Sequence, residues 1–141
     1  MKKFSLIIFS MLLIFSFISI GAGVIPIYPQ EKDLGIGPVK KVEIGPLDKT
    51  MSDKGKAIFN SKCIICHDLD QAKIGPVLRN ITKVRTPEYI MNMLVNTIQM
   101  QKENATVKEL IKKYNNIIMI PPLLNQEQAR NMLEYLRSVA R

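Results

Sequence analysis

Apolar residues spaced three and four positions apart predict helices in the second half of the chain. The clearest case follows residues 86–88, where a threonine, a proline and a glutamate mark a helix start. One apolar face then recurs along that helix, formed by Ile90, Met91, Leu94, Val95 and Ile98.

Three other segments carry the same helical pattern. The first is capped by Ser52 or Asp53, and a shorter one begins at Thr106. The last begins at Asn125, where Gln128 completes a capping pair. No segment alternates between apolar and polar residues as a half-buried strand would. We therefore predict an all-α fold with three to five helices.

The N-terminus has the pattern of an export element. A positively charged start, residues 1–3, is followed by 24 uncharged residues, 4–27. The small residues 21–23 suit a signal peptidase, whereas the uncharged run is long enough to remain as a membrane anchor. Residues 1–23 are therefore expected to be a signal peptide or an N-terminal membrane anchor. Both outcomes place the domain on the periplasmic side of the cytoplasmic membrane, anchored or soluble.

Residues 24–50 form a Pro/Gly-rich linker, because four prolines and three glycines prevent a sustained helix. If extended, this segment would span at most about 90 Å and would serve as a tether. The alternative is that its isoleucines, with Val39 or Val42, pack on the domain as a strap. The domain itself is predicted over residues 51–141.

Positive charge is concentrated in the predicted domain. The chain has a net charge of +8, and residues 51–141 hold 14 lysines and arginines against 8 acidic residues. A field of this sign speeds encounter with an acidic partner protein and weakens with salt, although a solvated basic surface has the same composition. Nucleic acid is not an expected partner, because no recognisable binding motif accompanies the charge and aromatic residues are only 6% of the chain.

Residues 63–67 carry the clearest chemical signal in the chain. They read Cys-Ile-Ile-Cys-His, and Cys-x-x-Cys-His is the signature of covalent haem attachment. On a helical turn Cys63 and Cys66 fall on nearly the same face, so each thiol can form a thioether with one vinyl group of a single haem. His67 is then carried under the ring, where its imidazole can bind the iron.

Three other uses of this cysteine pair fit the chain less well. A thioredoxin-like motif expects a βαβ setting, whereas a predicted helix precedes Cys63. A structural zinc site needs four ligands, and the chain has no Cys or His beyond Cys63, Cys66 and His67. A disulfide between the two cysteines would close a very small loop and would gain little from chain entropy.

Several further segments together resemble a class I c-type cytochrome with one haem. They are residues 54–59 (Lys-Gly-Lys-Ala-Ile-Phe), residues 75–78 (Gly-Pro-Val-Leu), Met119 ahead of the prolines at 121–122, and Tyr135 with Leu136 in the last helix. The resemblance covers roughly residues 51–141. It implies the small cytochrome c fold, in which three to five helices surround one covalently bound haem c.

The resemblance also implies two packing details. Gly55 and Phe59 match the positions at which the family's first helix crosses its last. Their counterparts in the last helix would be Met132 and Tyr135. A glycine there allows close approach, which offsets about 1 kcal/mol of lost helix propensity. In the family's turn at residues 75–76, the proline packs beside the proximal histidine and a backbone carbonyl accepts the ring N–H.

A six-coordinate electron carrier needs a second axial ligand, and with no other histidine a methionine sulfur is the natural choice. Of eight methionines, Met119 lies in a non-helical segment 52 residues after His67 and just before the last helix, as the family's ligand does. The alternatives are Met100, at a helix end, and a site that is open or takes another ligand. Ile120 departs from the family, in which a proline commonly follows the ligand directly.

With His67 and Met119 on the iron, no position remains for oxygen or peroxide, and the iron can only change valence. We therefore expect electron transfer, with no catalytic residue and no enzyme activity. The alternatives are a haem enzyme or gas-sensing module with an open or displaceable sixth site, and a subunit fixed within a larger oxidase or reductase. The pocket predicted around the haem comprises Ile64, Ile65, Leu78, Leu94, Ile98 and Leu123.

The expected partners are acidic redox proteins, namely the electron donor and acceptor of a respiratory chain. Lys62, Lys73 and Lys83, close to the motif in sequence, are the candidates for steering a partner to the exposed haem edge. Residues 79–93 are similar to small cytochromes that accompany nitrous oxide reductases. That similarity implies a donor to a periplasmic or membrane respiratory reductase.

Overall fold

The computed structural model describes residues 32–141, in which six α-helices and no strand occur. The all-α fold predicted from the sequence is confirmed, with one helix more than expected. The export element predicted over residues 1–23 lies outside the described residues. No helix in the described part of the chain is long and apolar enough to cross a membrane. The helices are α1 (Lys49–Ile58), α2 (Ile81–Val84), α3 (Pro87–Val95), α4 (Thr97–Glu103), α5 (Ala105–Lys113) and α6 (Gln126–Val139).

Two helices begin earlier than the sequence pattern predicted. α1 is capped by Asp48 and not by Ser52 or Asp53. α5 is capped by Asn104, so it begins ahead of Thr106. In both caps a side-chain oxygen accepts a hydrogen bond from the backbone N–H three residues later, at 2.8 and 3.1 Å. The sequence prediction was wrong because several neighbouring polar residues carry the same capping signature.

The caps predicted for the other two helices are confirmed. Thr86 accepts a hydrogen bond from the Tyr89 N–H at 3.1 Å, and Pro87 is the first residue of α3. Asn125 and Gln128 form a reciprocal capping box at the start of α6. Both helix starts are therefore held by contacts that are local in sequence.

The helix predicted to continue through residue 98 is interrupted at Asn96. The backbone of Asn96 leaves the helical region, with φ −135° and ψ 40°, and its side chain donates to the Ile36 carbonyl at 3.0 Å. α4 starts afresh at the next residue. Ile98 therefore no longer continues the apolar face of α3, and 69% of it is exposed.

α1 and α6 cross at Gly55, where there is no room for a side chain. A Cβ atom on Gly55 would lie 2.1 Å from the carbonyl oxygen of Asn131 and 2.8 Å from the Cβ of Tyr135. The rings of Phe59 and Tyr135 pack beside this point with their centroids 5.4 Å apart. The predicted crossing is confirmed, and the Asn131 backbone, which was not predicted, makes its closest contact. Met132 is buried in the same core.

Residues 32–48 pack on the helices as a strap and do not form a free tether. The buried Asn92 side chain accepts a hydrogen bond from the Val39 N–H at 3.0 Å. Its amide group also donates to the carbonyls of Leu34 and Val39, at 2.9 Å each. Gly37 lies against the same side chain, where a Cβ would be 2.3 Å from the Asn92 Oδ1. One asparagine thus pairs three backbone groups of the strap.

A buried carboxylate ties the end of the strap to α6. Glu134 is fully buried and forms ion pairs with Arg130 and Arg137. Burial would raise the pKa of Glu134, but hydrogen bonds from the two guanidinium groups outweigh burial and hold the pKa below its usual value. Arg137 also donates to the carbonyl of Gly45 at 2.9 Å, and the Asp48 N–H donates to Glu134 at 3.4 Å.

The substitution Gly55→Ala is expected to destabilise the fold by about 2 kcal/mol. The added methyl group would overlap a backbone carbonyl, which cannot rotate away as a side chain can, so the two helices must separate. The matched control is Gly45→Ala, because a Cβ at Gly45 meets no atom within 4 Å. Denaturant unfolding measures both changes, and equal stabilities for the two variants would contradict the proposed crossing.

Candidate functional site

A π-helical turn at the end of α1 presents the Cys-x-x-Cys-His motif. The turn spans Phe59–Cys63. The Cys63 carbonyl accepts hydrogen bonds from the Cys66 N–H at 3.1 Å and from the His67 N–H at 2.8 Å. Cys63 is buried and Cys66 is partly buried. The three side chains predicted to bind haem therefore leave the chain within one tight turn.

The imidazole of His67 is held in one orientation by residues 75–76. Its Nδ1 lies 2.9 Å from the Pro76 carbonyl oxygen. Because a carbonyl only accepts hydrogen bonds, Nδ1 carries the proton and Nε2 has the free lone pair that a metal ion needs. Gly75 lies against the ring, where a Cβ would be 2.4 Å from the His67 Cε1. The turn implied by the resemblance is therefore confirmed.

An apolar cavity lies beside the motif. Cys63, His67 and Met119 all line it, so the structure brings three of the four predicted site residues to one space. Cys66 does not line it. Helices α3, α5 and α6 complete the wall. The other lining residues are Phe59, Pro76, Leu78, Ile81, Tyr89, Ile90, Met93, Leu94, Gln101, Val107, Leu110, Ile111, Tyr114, Ile117, Met132 and Leu136.

The pocket predicted from the sequence is only partly correct. Of its six residues, Leu78 and Leu94 line the cavity. The other four do not line the cavity and are exposed to solvent, with exposed fractions from 44% to 85%. They are Ile64, Ile65, Ile98 and Leu123. Proximity in sequence to the motif or to the loop misled the prediction, because each of these side chains lies on the outer side of its turn or helix. Part of the actual lining comes from α5, which the prediction had not used.

Three methionines line the cavity, and Met119 differs from the other two. Met93 and Met132 lie on helices α3 and α6, whereas Met119 lies in the non-helical segment between α5 and α6. Met100, the alternative ligand, is fully buried and does not line the cavity, although Tyr89 and Val107, which pack with it, do. Its sulfur accepts a hydrogen bond from the Ile36 N–H at 3.0 Å. The sulfur of Met100 is thus already engaged away from the cavity.

The residues around the cavity fit a haem. A porphyrin is a flat apolar ring with polar groups at its edge, and the lining is apolar with few polar atoms. Tyr89 lines the cavity, and its hydroxyl is buried and has no hydrogen-bond partner within the described residues. A buried hydroxyl without a partner is costly, so a polar group of the cofactor would satisfy it.

Burial raises the pKa of the Cys63 thiol to about 11, which keeps a free thiol uncharged against this apolar wall.

Two residues of the site were missed by the sequence reasoning, Gln101 and Tyr89. The Gln101 side chain binds both backbone groups of Met119, at 2.7 Å for the N–H and 3.0 Å for the carbonyl. No pattern in a single sequence reveals a contact between residues 18 positions apart. Tyr89 carried a weak signal, since it lies four residues before Met93 and so shares one face of α3 with it.

Comparisons with known proteins identify a matching family and similar solved structures. The family model described as cytochrome c matches residues 52–140. A solved structure of a cytochrome c from Rhodothermus marinus is similar to the chain, with 44% sequence identity and a TM-score of 0.71. That similarity covers 74% of this chain and 90% of the Rhodothermus chain.

Two engineered forms of the Rhodothermus marinus cytochrome c are also similar to the chain. One has 43% identity and a TM-score of 0.71. The other, bound to a carbene intermediate, has 44% identity and a TM-score of 0.68. Both similarities cover 74% of this chain and 90% of the other. Among curated proteins, no sequence matches the chain.

The substitution Gly75→Ala is expected to displace the His67 ring and to cost about 2 kcal/mol of stability. The new methyl group would occupy the space of the imidazole, so the hydrogen bond from Nδ1 to the Pro76 carbonyl would lengthen or break. Gly45→Ala again serves as control. NMR of the reduced haem-bound protein measures the rate at which the Nδ1 proton of His67 exchanges with solvent. Faster exchange of that proton with solvent is expected, and an unchanged resonance would contradict the orientation described.

Proposed function

The chain belongs to the cytochrome c family, and we propose that it is a periplasmic electron carrier whose haem iron is held between His67 and Met119. As a member of this family it binds one covalent haem c, and its function is haem-based electron transfer. The proposal adds the axial ligands, the location and the partner. The observation that carries it is that His67 and Met119 line the same apolar cavity as Cys63.

Each residue of the site has a distinct task in this proposal. Cys63 and Cys66 would hold the haem through thioethers, and His67 would bind the iron through Nε2. The Pro76 carbonyl orients His67 and makes its imidazole a stronger electron-pair donor to iron, because it accepts a hydrogen bond from the Nδ1–H group. Bound haem supplies one-electron exchange between ferrous and ferric iron.

The apolar wall of the cavity sets the conditions for that exchange. It excludes water and lowers the local dielectric constant, which favours the less charged, reduced state. Methionine as the second ligand, in place of a second histidine, raises the reduction potential further. The chain's own residues therefore act by binding, orientation and exclusion of water, and no acid or base is required.

A haem enzyme or gas sensor is the second candidate, and one comparison bears on it. One engineered form of the Rhodothermus protein is bound to a carbene intermediate. For this chain the position of Met119 on the cavity wall favours electron transfer, because a methionine that occupies the sixth site leaves no position for another ligand.

An acidic redox protein is the proposed partner. Lys62 is exposed at the motif, and Lys73 donates to the Ile64 carbonyl at 3.1 Å, so both charges lie beside the predicted haem turn. Lys83, the third predicted candidate, donates to the carbonyl of Arg141. The similarity of residues 79–93 to cytochromes that accompany nitrous oxide reductases supports a respiratory reductase as acceptor.

The substitution Met119→Leu is expected to abolish the sulfur-to-iron charge-transfer band of the oxidised protein and to lower its reduction potential. Leucine retains the volume of the side chain but has no donor atom for the iron. The matched control is Met93→Leu, which changes another methionine on the same cavity wall. Absorption spectroscopy of both variants is the measurement, and a band that persists in Met119→Leu would refute the proposed ligation.

Electron exchange with an acidic reductase is expected to slow at least about tenfold between low and high ionic strength. The charge reversals Lys62→Glu and Lys73→Glu should slow it at low salt. Lys40→Glu makes the same change on the exposed strap and should have a smaller effect. Stopped-flow oxidation of the reduced protein measures the rates. Equal effects of all three substitutions would argue against docking at the haem turn.

A further inference from the structure

The side-chain amide of Gln101 pairs with both backbone groups of Met119. Its Oε1 accepts the Met119 N–H at 2.7 Å, and its Nε2 donates to the Met119 carbonyl at 3.0 Å. A primary amide has an acceptor oxygen and a donor NH₂ group in one plane, so it can bond to both the N–H and the C=O of a single residue. Two hydrogen bonds from one side chain fix the position and the orientation of Met119, because one bond alone would leave rotation free.

Apart from Leu124, which is buried in the hydrophobic core, the segment that carries Met119 has little else to hold it. Within the described chain, residues 118–124 make no backbone hydrogen bonds except these two to Gln101. Pro121 and Pro122 have no N–H to offer. The exposed fractions of Ile118, Ile120 and Leu123 in this segment are 66%, 81% and 85%. Loops with few hydrogen bonds and few buried contacts open at low free-energy cost.

Gln101 itself lies on a well-anchored helix. Its neighbour Met100 is fully buried and accepts a hydrogen bond from the Ile36 N–H of the strap. At the start of the same helix, the Thr97 hydroxyl donates to the Met93 carbonyl at 2.7 Å, and Asn96 donates to the Ile36 carbonyl. The amide of Gln101 is thus presented from a fixed support to a weakly held loop.

We propose that Gln101 is a positioning residue that keeps the sulfur of Met119 on the haem iron and closes the sixth site to outside ligands. This inference rests on the proposed ligation by Met119. Gln101 does not bind the iron. It acts by lowering the population of states in which the loop has moved away, so its loss exposes the iron to small ligands without removing the methionine.

The substitution Gln101→Leu keeps a side chain of similar size on the cavity wall and removes both hydrogen bonds. If each bond has the usual net strength, the open population should rise about ten- to a hundredfold. Cyanide, which binds ferric haem only after the methionine has left, should then bind faster by the same factor. The charge-transfer band should disappear at a lower temperature than in the unsubstituted protein.

A conservative variant and a matched control separate positioning from general destabilisation. Gln101→Glu keeps the acceptor for the Met119 N–H and loses the donor, so its cyanide rate should fall between those of the native protein and Gln101→Leu. Gln99→Leu makes the same substitution on the same helix, where the native amide bonds to Glu103. It should bind cyanide at the native rate. Far-ultraviolet circular dichroism should show that all the variants remain folded at the temperature of the cyanide measurement.

The experiment is stopped-flow cyanide binding to the oxidised haem proteins, with hydrogen exchange of the Met119 amide by NMR in the reduced state. Faster cyanide binding and faster amide exchange in Gln101→Leu, but not in Gln99→Leu, support the proposal. Native rates in Gln101→Leu overturn it, even if Met119→Leu has lost the charge-transfer band. If the native protein lacks that band, the ligation by Met119 fails, and the role of Gln101 fails with it.

Discussion

The close approach of α1 and α6 at Gly55 determines where the haem-binding turn lies. With a carbonyl of α6 directly against Gly55, the aromatic pair of Phe59 and Tyr135 can pack one turn further along. The π-helical turn that follows then brings Cys63 and His67 to the cavity. A side chain at the crossing would separate the helices and move this turn away from the wall formed by α6.

The two candidate axial residues are positioned by different kinds of contact. His67 is oriented by a carbonyl nine residues away, within the loop that continues the motif. Met119 is held by a side chain 18 residues earlier, on a helix that itself depends on the strap. The orientation of His67 therefore depends on residues close to it in sequence, whereas the position of Met119 depends on contacts that form only in the assembled fold. Under the proposed ligation, this difference makes the Met119 side the place where the site can open.

The strap gives the small domain part of its rigidity. Asn92 pairs three backbone groups of the strap in a buried position, and the contact of Asn96 with Ile36 ends α3. Without these contacts the apolar pattern would favour one longer helix, since nothing in residues 96–98 forbids it. The segment outside the predicted domain thus sets the position of α4, which carries Gln101.

Local signals in the sequence were sufficient for the chemistry and for much of the fold. The Cys-x-x-Cys-His motif specifies covalent haem by spacing alone, and the capping box at Asn125 and the proline at residue 87 mark helix starts through contacts within one turn. Contacts between distant residues required the tertiary structure. The contact of Gln101 with Met119 and the contact of Asn92 with the strap are each made by a single polar side chain. No sequence pattern predicts these contacts, because helix packing determines which groups the side chains reach.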